Sequence, residues 1–164
     1  MNDCKYGYSM KNRVITQTLI KSGTEPNLTA AQEEHFFTYS LYPHAGTWRE
    51  AGTEQEALNL NVPAKAVAGA AEKDRMEFLS VDKRDVVLET VKKAEDGDGV
   101  IVRLYEVENA RTKVTLHCAE AIASAEETAL LENPIEGALG VKENEIELTI
   151  KPYEIRTIRI RTAK

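Results

Sequence analysis

The sequence predicts a mostly β chain, with an antiparallel β-sandwich in its C-terminal part, on three observations. Glu145-Ile146-Glu147-Leu148-Thr149-Ile150-Lys151 alternates without a fault, so Ile146, Leu148 and Ile150 share one face and polar groups take the other. Lys113-Val114-Thr115-Leu116-His117-Cys118 and Thr157-Ile158-Arg159-Ile160-Arg161 repeat that period of two. Segments 86–91 and 100–107 are rich in β-branched residues and apolar on both faces for part of their length, as central strands are. Strands of this length, one face in and one face out, describe an antiparallel sandwich.

Taken in order, the first 75 residues hold two or three strands, one ending near Pro43, and one helix near 47–60. The helix rests on Thr47-Trp48-Arg49-Glu50, which fits a capping box, and on Trp48, Ala51, Leu58 and Val62 falling near one helical face. Gly52 weakens its middle and Pro63 limits its end. The small, featureless run 64–72 marks a boundary, and residues 76–164 carry six or seven strands, enough for a compact sandwich. Turn chemistry agrees with that division. Glu95-Asp96-Gly97-Asp98-Gly99 supplies a tight hairpin turn, Glu108-Asn109-Ala110-Arg111 separates the next pair, Asn133-Pro134 and Gly137 punctuate a looser connection, and Lys142-Glu143-Asn144 turns into the next strand.

Composition narrows function. A chain of 164 residues can bury a real core, and its net charge of −6 argues against a sequence-independent grip on a phosphate backbone. Arg156, Arg159, Arg161 and Lys164 form the one basic run, read as solvent-facing positions of a terminal strand. No run reaches the roughly 18 apolar residues that span a bilayer. Cys4 and Cys118 have no metal-type spacing and read by default as free thiols of a reducing, cytoplasmic compartment, with a single bridge between them as the alternative. Asn27-Leu28-Thr29 matches a glycosylation acceptor and reads as chance.

Candidate chemistry is thin. Asp96-Gly97-Asp98-Gly99 lacks the further ligands and helices of a calcium loop and reads as a hairpin turn. His35, His44 and His117 are not spaced as ligands on one element, so no metal site is assigned. Glu33-Glu34 and Glu126-Glu127 are adjacent pairs that a strand would send to opposite faces, so no acid–base pair stands out and no catalytic residue is assigned. Phe37, Tyr39 and Trp48 suit a core as well as a platform for sugar rings.

Several blocks carry a resemblance in the right order: Asn2-Asp3-Cys4-Lys5-Tyr6-Gly7-Tyr8, then residues 34–44 with Thr47-Trp48-Arg49-Glu50, then Asn59-Leu60-Asn61-Val62-Pro63. Segments 86–92 and 100–106 continue the series. Together they resemble the C-terminal β region of glycoside hydrolase family 38 α-mannosidases, especially their cytosolic and bacterial branch. The resemblance implies that residues 1–75 are the tail of a larger β super-sandwich and residues 76–164 a terminal sandwich. Met1 then reads as an added start ahead of a piece of an enzyme whose N-terminal catalytic domain is missing. It implies a full-length protein that hydrolyses terminal α-linked mannose of oligosaccharides with retention, using zinc, with the nucleophile and zinc ligands upstream and no cofactor in this chain. It also implies that the first block reaches the sugar pocket, making Asp3, Lys5 and Tyr6 the substrate-binding candidates. The expected partner is the catalytic domain, with neither nucleic acid nor membrane, and the isolated fragment is expected to be inactive and to self-associate through an uncovered apolar face and strand edge. The rival readings are a stand-alone carbohydrate-binding sandwich and a structural or interaction domain.

Overall fold

The computed structural model describes residues 6–70 and 73–163 and divides the chain into two compact units, 1–68 and 69–164. In the first, β1 (Tyr8–Lys11) and β2 (Val14–Gln17) form a hairpin, and α1 (Thr53–Asn61) follows a long irregular stretch. Asn12 and Arg13 both take positive φ, the conformation a two-residue hairpin turn needs to match the strand twist. The register pairs Tyr8 with Gln17 and Met10 with Ile15, so these four share one face. Ser9, Lys11, Val14 and Thr16 share the other.

The helix departs from the sequence expectation. The capping box forms, with Thr47 N–H donating to Glu50 Oε2 at 2.7 Å and Glu50 N–H to Thr47 Oγ1 at 3.3 Å. It caps only one turn, however. Gly52 enters the left-handed region (φ 63, ψ 35), Gly52 N–H donates to the Arg49 carbonyl, and Thr53 N–H reaches back to that of Trp48. That pair of bonds is a glycine-terminated helix end, so α1 starts afresh at Thr53. No residue of α1 is buried. The segment read as a strand before Pro43 is also irregular, with a lone bridge at Tyr39.

The second unit is a two-sheet sandwich. Its strands are β3 (Leu79–Val81), β4 (Val86–Lys93), β5 (Val100–Glu106), β6 (Thr112–Cys118), β7 (Ile122–Thr128), β8 (Pro134–Ala138), β9 (Val141–Lys142), β10 (Glu145–Ile150) and β11 (Ile155–Thr162). One sheet runs β3-β6-β10-β9 and the other β4-β5-β11-β7-β8, each neighbouring pair antiparallel. Residues 108–111 therefore carry the chain from one sheet to the other. Leu116 and Val114 face Ile146 and Leu148 across the register of β6 and β10, with Cys118 and Ile150 at either end of the same face. Val102, Leu104, Ile158 and Ile160 come from the opposite sheet, and together these side chains fill one core. The 95–99 turn joins β4 to β5 as expected. A Cβ on Gly99 would sit 2.5 Å from the Ile160 carbonyl oxygen, and φ there is +95°, so only glycine fits.

One buried carboxylate ties the connections together at one end. Glu106 is 1% exposed, and its carboxylate accepts the N–H groups of Glu108, Ala110 and Tyr153 at 2.7, 3.0 and 2.8 Å. Burial pushes its pKa up, but the backbone donors outweigh that and hold it below the ordinary value. A depressed carboxylate stabilises the fold fully above its unfolded value, and the contribution is lost as pH falls through the lowered one. Glu106→Ala should cost about 3 kcal/mol through the orphaned N–H groups. In urea titrations the variant should also lose part of the wild-type acid sensitivity.

Candidate functional site

Of the three substrate-binding candidates, Asp3 and Lys5 lie outside the described residues. Tyr6 is described, half exposed, directly before Gly7, whose carbonyl accepts Thr18 N–H at 3.1 Å where the β1–β2 hairpin closes. It does not line the cleft found nearby.

That cleft, about 470 Å³, opens on the apolar face of the hairpin and is lined by Tyr8, Ile15, Gln17, Tyr39, Leu41, Tyr42, His44 and Thr53, with Ser40. The Tyr42 hydroxyl donates to the Ala51 carbonyl at 3.0 Å, and its ring lies 5.6 Å from that of His44. Gln17 Nε2 and Thr53 Oγ1 are buried atoms without a hydrogen-bond partner among the described residues. The lining therefore offers aromatic faces, an amide, several hydroxyls and an imidazole, and no carboxylate. Such a set binds a neutral polar group or a polypeptide, and supplies no acid–base pair. Phe37 is half-buried and stacks on His35 at 6.1 Å, Tyr39 is exposed, and Arg49 lies 5.0 Å above the Trp48 ring.

The second cluster is charged and lies on the outer face of the five-stranded sheet. Arg159, read from sequence as solvent-facing, is only 6% exposed, because β11 lies at the centre of that sheet rather than at an edge. Its guanidinium meets Asp96 at 2.6 Å, Glu126 at 3.7 Å and Glu132 at 4.0 Å. Arg161 bonds Asp98 at 2.8 Å and Glu126 at 3.0 Å. Arg156 points the other way, pairing with Glu127 and donating to the Thr149 carbonyl at 3.0 Å across the sandwich. Glu126 and Glu127 thus do take opposite faces. Lys164 lies outside the described residues.

The electrostatics of these acids are those of structural pairs. Hydrogen bonds from Asp98 N–H and then Arg159 hold Asp96 below its ordinary pKa, and Lys92 followed by Glu95 N–H does the same for Glu132. A general acid at a glycoside needs the reverse, a carboxyl raised toward neutrality. His117 is partly exposed beside Glu145 at 3.3 Å on the outer face of the other sheet. Cys118 is buried as a free thiol, and Cys4 lies outside the described residues. Among the described residues no group of three or more His, Cys, Asp or Glu is placed to hold a metal.

Known proteins share this sandwich. Residues 85–158 match the glycosyl hydrolases family 38 C-terminal beta sandwich domain. The chain belongs to glycosyl hydrolase family 38, in its C-terminal region. It is 35% identical to alpha-mannosidase 2C1 of Mus musculus over 96% of its own length, and 34% identical to the Homo sapiens alpha-mannosidase 2C1 over 96%. Alpha-mannosidase G of Dictyostelium discoideum is 34% identical over 97%. The chain spans only 16%, 16% and 15% of those family 38 relatives. No described helix is long and apolar enough to cross a membrane.

The family 38 sandwich here depends on its arginine network. Arg159→Leu should cost about 3 kcal/mol, because Asp96, Glu126 and Glu132 are left beside a buried site with no counter-charge. Differential scanning calorimetry would read this as a lowered melting temperature, and a transition at the wild-type temperature would contradict it.

Proposed function

We propose that this chain is the non-catalytic C-terminal portion of a cytoplasmic α-mannosidase, which hydrolyses terminal α-linked mannose of oligosaccharides with retention of configuration. The observation that carries the reading is the contrast between the two units. Among the described residues of unit 1–68 none is buried, while Tyr8, Met10, Ile15, Tyr39 and Leu41 stand exposed beside a two-stranded sheet. An isolated hairpin of this kind is marginal in water and calls for a covering body. The relatives are about six times longer, and in this proposal the covering body is the N-terminal catalytic domain.

The zinc and nucleophile of the reaction belong to that domain, which this chain supports. Asp3, Lys5 and Tyr6 would reach from the first block toward the sugar, and the exposure of Tyr6 leaves its ring free to do so. Neither nucleic acid nor membrane has a part in the reading.

The test compares the full-length protein, the same protein lacking this region, and this chain alone on an aryl α-mannoside. Turnover is expected only from the full-length form. Hydrolysis by the chain alone, abolished by a point change within it, would overturn the reading. Light scattering of the isolated chain should show its mass rising with concentration as uncovered hairpin faces meet. Mannose titration followed by Trp48 fluorescence should be silent, whereas saturable binding would favour a stand-alone carbohydrate-binding module.

A further inference from the structure

The outer face of the five-stranded sheet is unusually dry for a surface. Ile101 is fully buried, and Thr128, Thr157 and Arg159 nearly so, although the register places all four on that face. The cover is the turn at 129–133 between β7 and β8, which folds back across the sheet. Ala129 N–H donates to the Asn133 carbonyl and Glu132 N–H to the Ala129 carbonyl, with Glu132 at φ 66. Glu132 then accepts Glu95 N–H at 2.9 Å and pairs with Lys92 at 2.8 Å, and Arg103 donates to the Leu130 carbonyl at 2.9 Å.

The Glu132 carboxylate and the Leu130 carbonyl of this turn are both spent on groups of the sheet and its β4–β5 hairpin. What it shows to solvent is Leu130 at 61% and Leu131 at 84% exposure. A turn tip in water ordinarily carries Gly, Asn, Asp or Ser. Ile155 adds to the patch. It occupies the outer-face position next to Thr157, and Thr157 lies opposite the Arg103 that holds Leu130. Ile155 is 65% exposed. Two leucines fixed by backbone and ionic anchors lose little freedom on docking, the property of an interface anchor.

We infer that the 129–133 turn is a docking knob, and that Leu130 and Leu131 seat in an apolar pocket of the polypeptide that precedes this chain in the full-length protein. The inference rests on the reading of the chain as part of a longer α-mannosidase. The occupant follows from length, since the chain spans only 16% of the mouse and human relatives while the sandwich already has a filled core of its own. The remainder is the one large body tethered to every copy.

The test is thiol accessibility. Leu131→Cys is made in the isolated chain and in the full-length protein, and maleimide labelling of that peptide is followed by mass spectrometry. Labelling should be fast in the isolated chain and slower by about an order of magnitude or more in the full-length protein. Equal rates would overturn the proposal. So would protection in the isolated chain that grows with its concentration, since the cover would then be a second copy. In parallel, Leu131→Asp should lower the melting temperature of the full-length protein and leave that of the isolated chain unchanged. Wild-type full-length turnover of an aryl α-mannoside is measured separately. Turnover together with an unprotected thiol in the Leu131→Cys variant sinks the knob alone, while protection without turnover sinks the enzymatic reading and leaves the knob standing.

Discussion

The guanidinium of Arg159 lies against the centre of a five-stranded sheet, and a cation in that position has to be surrounded. Water cannot do it, because the 129–133 turn lies over the same face. The sandwich answers with carboxylates drawn from three places in the sequence: Asp96 in the β4–β5 hairpin, Glu126 on the adjoining strand and Glu132 in the turn above. Buried charge of this kind adds little net stability and penalises any rearrangement that separates the partners. The network therefore sets where the hairpin and the covering turn can lie. The turn in turn decides which side chains the sandwich presents outward.

The two units stand at opposite ends of self-sufficiency. In the C-terminal unit the buried apolar side chains form one core, and Glu106 gathers the N–H groups of two connections. In the N-terminal unit the aromatic and aliphatic side chains line an open cleft, and none of the described residues is buried. The asymmetry is what the proposed reading rests on, with one module folding on its own terms and the other completing a neighbour. It also accounts for where the acids are spent, since those of the sandwich with lowered pKa hold lysines, arginines and backbone N–H groups rather than a proton for a leaving group.

Much of the sandwich was legible in residue pattern. The alternation in 113–118 and 145–150 predicts which side chains meet in the core, and the register of β6 with β10 pairs them that way. Asp-Gly at 96–99 announces its hairpin. The N-terminal hairpin went unread because its turn is Asn12-Arg13, without the glycine that usually signals left-handed backbone. Gly52 was seen as a weak point in a helix, whereas its left-handed φ closes one turn and separates it from the next, a distinction that lies in a dihedral angle rather than in residue type.

By itself, the amino-acid order determined the periods, the turns and the family blocks, because each depends on neighbours a few residues apart. Only the tertiary structure decided what the polar face of the last strand confronts. The arginines at 156, 159 and 161 look like a solvated stripe wherever their strand is taken to lie at an edge. Strand order is a long-range property, and it places that strand between β5 and β7, under a turn brought back from 129–133. Burial, and with it the meaning of each charge, follows from that placement.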